Sequence, residues 1–257
     1  MKIGIIGAGF AGIASAKVLT DLGHDVVVYE KAPDVGGVWS ASRRYPGLTT
    51  QNNKGSYALS DEPMPREYPE WPSGEQVQSY LEAYVAKHGL GERIELGVEV
   101  TEARPADGGG WDLTVGEETT HVDHLVAANG AFSEPSIPAY EGADVLEANG
   151  GEILAPGEVH DVSRFTGKHV VVVGYGKSAC DIAVAAAGEA ASTTVVARSL
   201  LWKVPPKIKG VLNYKYLLLT RMGEGLFRYR TVAGPERMLH AGGSKVANGM
   251  VGSVGSV

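Results

Sequence analysis

Cysteine is all but missing from this 257-residue chain, Cys180 being the single example. One thiol cannot close an internal disulfide, form a CxxC redox pair or build a cysteine zinc cage, so a reductase acting through a cysteine pair is excluded. Long apolar runs are missing as well: no stretch reaches the roughly 18 residues that read as a transmembrane helix. HExxH and GxSxG are absent and no acid–base dyad stands out, so hydrolysis by side chains has no support. Basic charge is in deficit, with 23 Lys and Arg against 30 Asp and Glu. A net charge of −7 gives no global pull towards nucleic acid or anionic membrane. The deficit is local: residues 1–202 hold 14 basic and 28 acidic side chains, whereas residues 203–257 hold 9 and 2.

The N-terminus has the outline of a signal peptide, with Lys2, an apolar stretch and the small run Ala14-Ser15-Ala16. Gly7, Gly9 and Gly12 interrupt that stretch and an amphipathic pattern resumes behind it, so a cytoplasmic protein is expected. Residues 2–6 are a short apolar run ending at Gly7, residues 10–22 repeat apolar side chains at helical spacing, and residues 25–30 read as a buried strand ending in Glu30. This is one βαβ unit. The pattern returns at residues 169–173, 178–187 and 193–197, with Gly174 in the place that Gly7 holds in the first unit. The separation of Gly7 and Gly174 is too long for a solenoid repeat and suits two dinucleotide-binding domains. Between the units, residues 75–88 read as a helix and 93–104, 111–115 and 119–128 as strands; 147–151 reads as the connection between halves.

The first glycine motif is Gly7-Ala8-Gly9-Phe10-Ala11-Gly12, directly after a strand and opening a helix. Gly7 suits a tight turn, Gly9 a close approach of pyrophosphate, and Gly12 close packing of helix on strand. The helix N-terminus offers unpaired N–H groups to phosphate. Glu30 closes the strand after that helix, where a carboxylate accepts hydrogen bonds from an unphosphorylated ribose. The second motif is Gly174-Tyr175-Gly176-Lys177-Ser178-Ala179, and Arg198 occupies the matching place at the end of its following strand. The charge at the strand end is thus reversed: a guanidinium holds a 2′-phosphate that a carboxylate would repel, so the first site suits FAD or NAD and the second NADP(H). Gly176-Lys177-Ser178 imitates the end of a P-loop, but Val171 stands where that loop needs glycine. His121, Asp123 and His124 have HxDH spacing inside a strand, and a metal site is not expected there.

At this point the chain resembles the flavin-containing monooxygenases. Gly36-Gly37-Val38-Trp39 is similar to the family's GGxW segment along the flavin, and Lys54 with Ser60-Asp61-Glu62-Pro63-Met64-Pro65 is similar to its K…SDFPMP, with Glu62 in place of Phe. Ala127-Ala128-Asn129-Gly130, Pro135 and Pro138 match the family's ATG-type strand end and crossover. The fingerprint FxGxxxHxxx(Y/F) is only partly present around His160.

The resemblance implies an α/β protein of two Rossmann-like domains, FAD-binding over residues 1–150 and NADP-binding over 151–257. It implies the cofactors FAD and NADPH, with Gly7 to Gly12, Glu30, Lys31, Gly37, Val38, Trp39 and Val100 on the first. Gly174 to Ala179 and Arg198 would hold the second. Gln51 stands where nitrogen-oxygenating members carry an asparagine near the flavin and Baeyer–Villiger members an aspartate; with Asn52 it is the expected catalytic hydrogen-bond donor. The implied reaction uses NADPH and O₂ to oxygenate a soft nitrogen or sulfur atom through a flavin hydroperoxide, with the cofactor carrying the hard chemistry. A Baeyer–Villiger monooxygenase acting on ketones, an NADPH oxidase and a non-catalytic nucleotide-binding fragment are the alternatives. Small molecules and O₂, not nucleic acid or membrane, are the expected partners. Only the segment 199–257 follows Arg198, where family members continue further, so a C-terminally truncated monooxygenase with an incomplete FAD domain is expected. Residues 211–229, apolar with Lys215, Arg221 and Arg228, are expected to be a packed helix rather than a membrane-surface one.

Overall fold

β1 (Lys2–Ile6) and β2 (Asp25–Glu30) pair in parallel around the 12-residue helix α1 (Phe10–Asp21). The computed structural model describes residues 1–199, Lys207–Ile208 and Leu212–Asn213. Short apolar runs make these strands because both sheet faces are covered: Ile5 and Val28, side by side in the register, are fully buried. β3 (Ile94–Leu96) and β7 (His124–Ala127) join the same sheet in parallel, giving the order β3-β2-β1-β7.

The helix α2 (Gly74–Lys87) covers this sheet together with α1. A capping box starts it: Ser73 Oγ accepts from Gln76 N–H at 3.3 Å, and Gln76 Oε1 accepts from Ser73 N–H at 3.0 Å. Val77, Tyr80, Leu81 and Tyr84 fall on one helical face and enter the main core with Ile3, Ile13 and Trp39. Full burial of such a side chain contributes roughly 2 kcal/mol. An antiparallel sheet, β4 (Val100–Pro105), β5 (Trp111–Val115) and β6 (Glu118–Val122), packs through Leu113 and Val122 onto Tyr29.

Two strands expected from sequence are each divided. The 93–104 run breaks at Gly97 (φ +71°) into β3 and β4 of different sheets. The 119–128 run breaks at Asp123, whose carboxylate accepts the Lys2 N–H at 2.6 Å, so that β6 and β7 also part company. The 147–151 connection begins inside a short helix, α3 (Ala143–Ala148).

β8 (His169–Val173), α4 (Lys177–Ala187) and β9 (Ser192–Val196) form the second parallel βαβ unit. Val172, Ile182, Ala183 and Ala186 pack with Val159 and Phe165 in a separate core. Val171 and Val173 are more than half exposed, and a cavity of about 860 Å³ lies between this strand and the 135–156 crossover. The fold is α/β with two Rossmann-like units, both inside one compact body, Met1–Leu200. Beyond it the described residues are an antiparallel pair, Lys207–Ile208 with Leu212–Asn213. The expected helix over 211–229 lies outside the described residues, Leu212–Asn213 apart. Among the described residues no helix is long and apolar enough to cross a membrane.

Candidate functional site

The turn after β1 is built by glycines, two of which leave no room for a side chain. Gly7 has φ +103°, and a Cβ there would lie 2.6 Å from the Ala128 carbonyl oxygen. A Cβ on Gly12 would lie 1.8 Å from the Gly7 carbonyl oxygen, so helix and turn touch backbone to backbone. Gly9 meets no such wall: the nearest atom to its Cβ would be Gly37 Cα at 3.7 Å. Gly9 and Gly37 face each other across a narrow gap, and both line a cavity of about 630 Å³.

Glu30 is fixed at the rim of that cavity. Its side chain is buried, Oε2 accepting from Ala8 N–H at 2.6 Å and Oε1 from Ala32 N–H at 2.9 Å. Each carboxylate oxygen has a lone pair to spare, and Glu30 lines the cavity. Of the residues expected on the first cofactor, Gly7, Gly9, Phe10, Ala11, Glu30, Lys31, Gly37, Val38, Trp39 and Val100 line this cavity together. Ala8 and Gly12 stand behind it, Ala8 holding the Gly36 N–H with its carbonyl at 3.0 Å.

The far wall was not foreseen. Asn129 to Glu134 run along it, and Arg43 Nη2 ties this strap down by donating to the Phe132 and Ser133 carbonyls at 2.8 and 3.0 Å. Lys31 reaches across to Glu134 and, at 3.8 Å, to Glu99. Only the strand end Ala127-Ala128-Asn129-Gly130 signalled this wall in the sequence. Beneath the near wall, Asp34 accepts from Ser40, Ser42, Gln78 and the Ala41 N–H. Burial opposes its charge, but these hydrogen bonds outweigh burial and hold the carboxyl below its usual range.

Gln51 and Asn52 do not line this cavity. Gln51 is exposed and donates its backbone N–H to Tyr57 Oη at 3.3 Å. Thr50, directly before it, is buried, and its hydroxyl has no partner among the described residues. Lys54 organises the loop: its ammonium donates to the carbonyls of Pro65, Arg66 and Tyr68 at 2.8, 3.0 and 2.7 Å.

In the second unit Gly174 has φ +127° and opens the turn into α4, and a Cβ on Gly176 would meet open space. Arg198 is exposed just past the end of β9. Lys177 is half-buried and its ammonium pairs with Asp181. Asp181 is itself largely covered, and Tyr45 also donates to it. His121 pairs with Asp112 at 2.8 Å, and among the described residues no three His, Cys, Asp or Glu side chains converge as metal ligands would.

The family model for flavin-binding monooxygenase-like proteins matches residues 1–233. The chain belongs to that family. A 4-hydroxybenzoate brominase (decarboxylating) from Marinomonas mediterranea is 38% identical over 188 residues, covering 70% of this chain and 35% of the relative. The solved structure of S-allyl-L-cysteine S-oxygenase from Allium sativum superposes with a TM-score of 0.66 at 25% identity, over 81% of this chain and 54% of that one. Cyclohexanone monooxygenase from Rhodococcus sp. Phi1, solved bound to NADP+, gives 0.68 at 28% identity, over 79% and 39%. The chain spans about a third to a half of the length of the curated relatives it matches.

Proposed function

We propose that this flavin-binding monooxygenase-like chain carries FAD in a domain spanning residues 1–150 and NADPH in one spanning 151–257. It would act as a cytoplasmic monooxygenase that oxygenates a soft nitrogen or sulfur atom with O₂. The observation that carries this reading is the cleft itself: Gly9 and Gly37 face each other across a gap at a helix N-terminus and Glu30 lines the same cavity, which supports a pyrophosphate at the first and a ribose at the second. The reversed sign at Arg198 supports NADPH as the second nucleotide, as does the NADP+ bound by the cyclohexanone monooxygenase. The Allium relative, named an S-oxygenase, supports sulfur as an acceptor atom.

FAD, when bound, supplies the redox and oxygen chemistry. The protein's own contribution is to hold and orient. Glu30 would hold the ribose hydroxyls, the N-terminus of α1 would take the phosphates, and the strap tied by Arg43 would form the far wall that limits water. The amides of Gln51 and Asn52 are the proposed donors beside the reacting atoms.

The test is product analysis with the full chain, FAD and NADPH against a thioether, a tertiary amine, a cyclic ketone and a hydroxybenzoate with bromide. A sulfoxide or N-oxide in step with NADPH consumption is expected. A lactone or bromophenol product in place of these, or stoichiometric H₂O₂ without oxygenated product, would overturn the reading.

A further inference from the structure

The loop that follows the flavin-side cleft is anchored in the second nucleotide unit. Tyr45 is 6% exposed and packs among Val159, Phe165, Val172, Ile182 and Ala186, all of them beyond residue 150. Its hydroxyl donates to Asp181 Oδ2 at 3.0 Å. The same oxygen accepts from the Lys177 ammonium, which also donates to Thr49 Oγ1 at 3.3 Å. The 45–49 loop therefore grips the first two turns of α4 at two points, Tyr45 to Asp181 and Thr49 to Lys177. Burial first, then the Asp181 charge, push the Tyr45 hydroxyl up to about 12 despite a hydrogen bond with Ser178, so it remains a donor at neutral pH. Lys177 belongs to the same bridge. Its charge is matched by Asp181 one helical turn away.

What this bridge connects is specific. On one side lies the helix N-terminus opened by Gly174 and Gly176; on the other, Gln51 and Asn52 follow closely after Thr49. We propose that Tyr45, Asp181 and Lys177 are positioning residues that hold the phosphate turn of the second nucleotide at a set distance from the Gln51–Asn52 segment. Their effect on the reaction rests on the two-nucleotide reading above; the mechanical coupling does not. Hydride passes directly between two bound rings only at contact distance, and a misplacement of about 1 Å costs on the order of 100-fold in rate.

Tyr45→Phe keeps the ring in its core and deletes only the hydrogen bond, and Asp181→Asn removes the charge that holds Lys177. In anaerobic stopped flow, both should lower the limiting rate of flavin bleaching by NADPH by roughly 10- to 100-fold. Bound FAD and the NADPH Kd should change by less than about twofold, within the spread of a surface substitution. Equal falls in FAD content and rate, or an unchanged rate, would overturn the proposal.

A second readout needs no activity. Spin labels on Leu22→Cys and Val184→Cys, both exposed, in a Cys180→Ser background report the distance between the first unit and α4. The distribution should be narrow while Tyr45 is intact and should broaden on Tyr45→Phe; an unchanged distribution would overturn the bridge. If NADPH fails to reduce flavin in the unsubstituted chain, the functional reading falls and the label distances alone decide the bridge.

Discussion

Gly9 and Gly12 belong to one turn and should respond differently to the same methyl group. At Gly12 a Cβ would meet the Gly7 carbonyl at 1.8 Å, whereas at Gly9 the nearest protein atom would be 3.7 Å away. Gly12→Ala should therefore cost more than about 3 kcal/mol in urea unfolding. Gly9→Ala should cost less than about 1 kcal/mol and still abolish FAD binding, because its methyl occupies the approach to pyrophosphate. At the second strand end, Arg198→Glu should reduce the preference for NADPH over NADH, measured as the ratio of Kd values, by roughly 10- to 100-fold, the loss of one charge-assisted contact. The strand-end residues were legible because a strand, a glycine turn and a helix place them at a set distance along the chain. Tyr45 was not. Its partner Asp181 is 136 residues away, and no local pattern announces it. Lys177 is expected on the nucleotide from its place in the glycine motif, and the Asp181 pairing at i+4 that the structure shows was not read from the sequence.

The elements that read best from sequence are those whose periodicity is set by burial on the main sheet. β1, β2, α1 and α2 lie within a residue of expectation because covered strands are uniformly apolar and covered helices repeat at 3.6. The expected strands over 93–104 and 119–128 failed for one reason. A chain can pass from one sheet to another within a short step without losing its extended, alternating character, and only Gly97 and Asp123 mark the change. Burial also differs between the two βαβ units. Ile5 and Val28 are fully covered, whereas Val171, Val173 and Val196 are at least half exposed. Amide hydrogen exchange should accordingly be slower in β1 and β2 than in β8 and β9, and equal protection would contradict the burial pattern. The segment 34–42 under the cleft depends on an ionised Asp34. Its folded pKa is depressed, so its stabilisation is present above about pH 4, the ordinary carboxylate value, and fades as pH falls through the lowered one. Asp34→Asn should flatten the loss of stability between about pH 5 and pH 2, as followed by urea unfolding.

At the scale of the whole molecule, one compact body carries two strand–glycine turn–helix units, the first leading to a strand that ends in Glu30 and the second to a strand that Arg198 follows. The family and the fold were legible because such turns require a strand before them, a helix after them and a charged residue at a later strand end. The Gln51–Asn52 segment was readable only through resemblance, and it lies outside the cleft that the first motif forms. The central claim is that this chain brings FAD and NADPH together as reacting partners. It is tested most directly by purifying the chain, loading it with FAD and following the flavin's visible band under anaerobic conditions as NADPH is added. The account predicts a bound-flavin spectrum that bleaches with NADPH and much less readily with NADH. A chain that binds no FAD, or bound FAD that NADPH leaves oxidised, would contradict it.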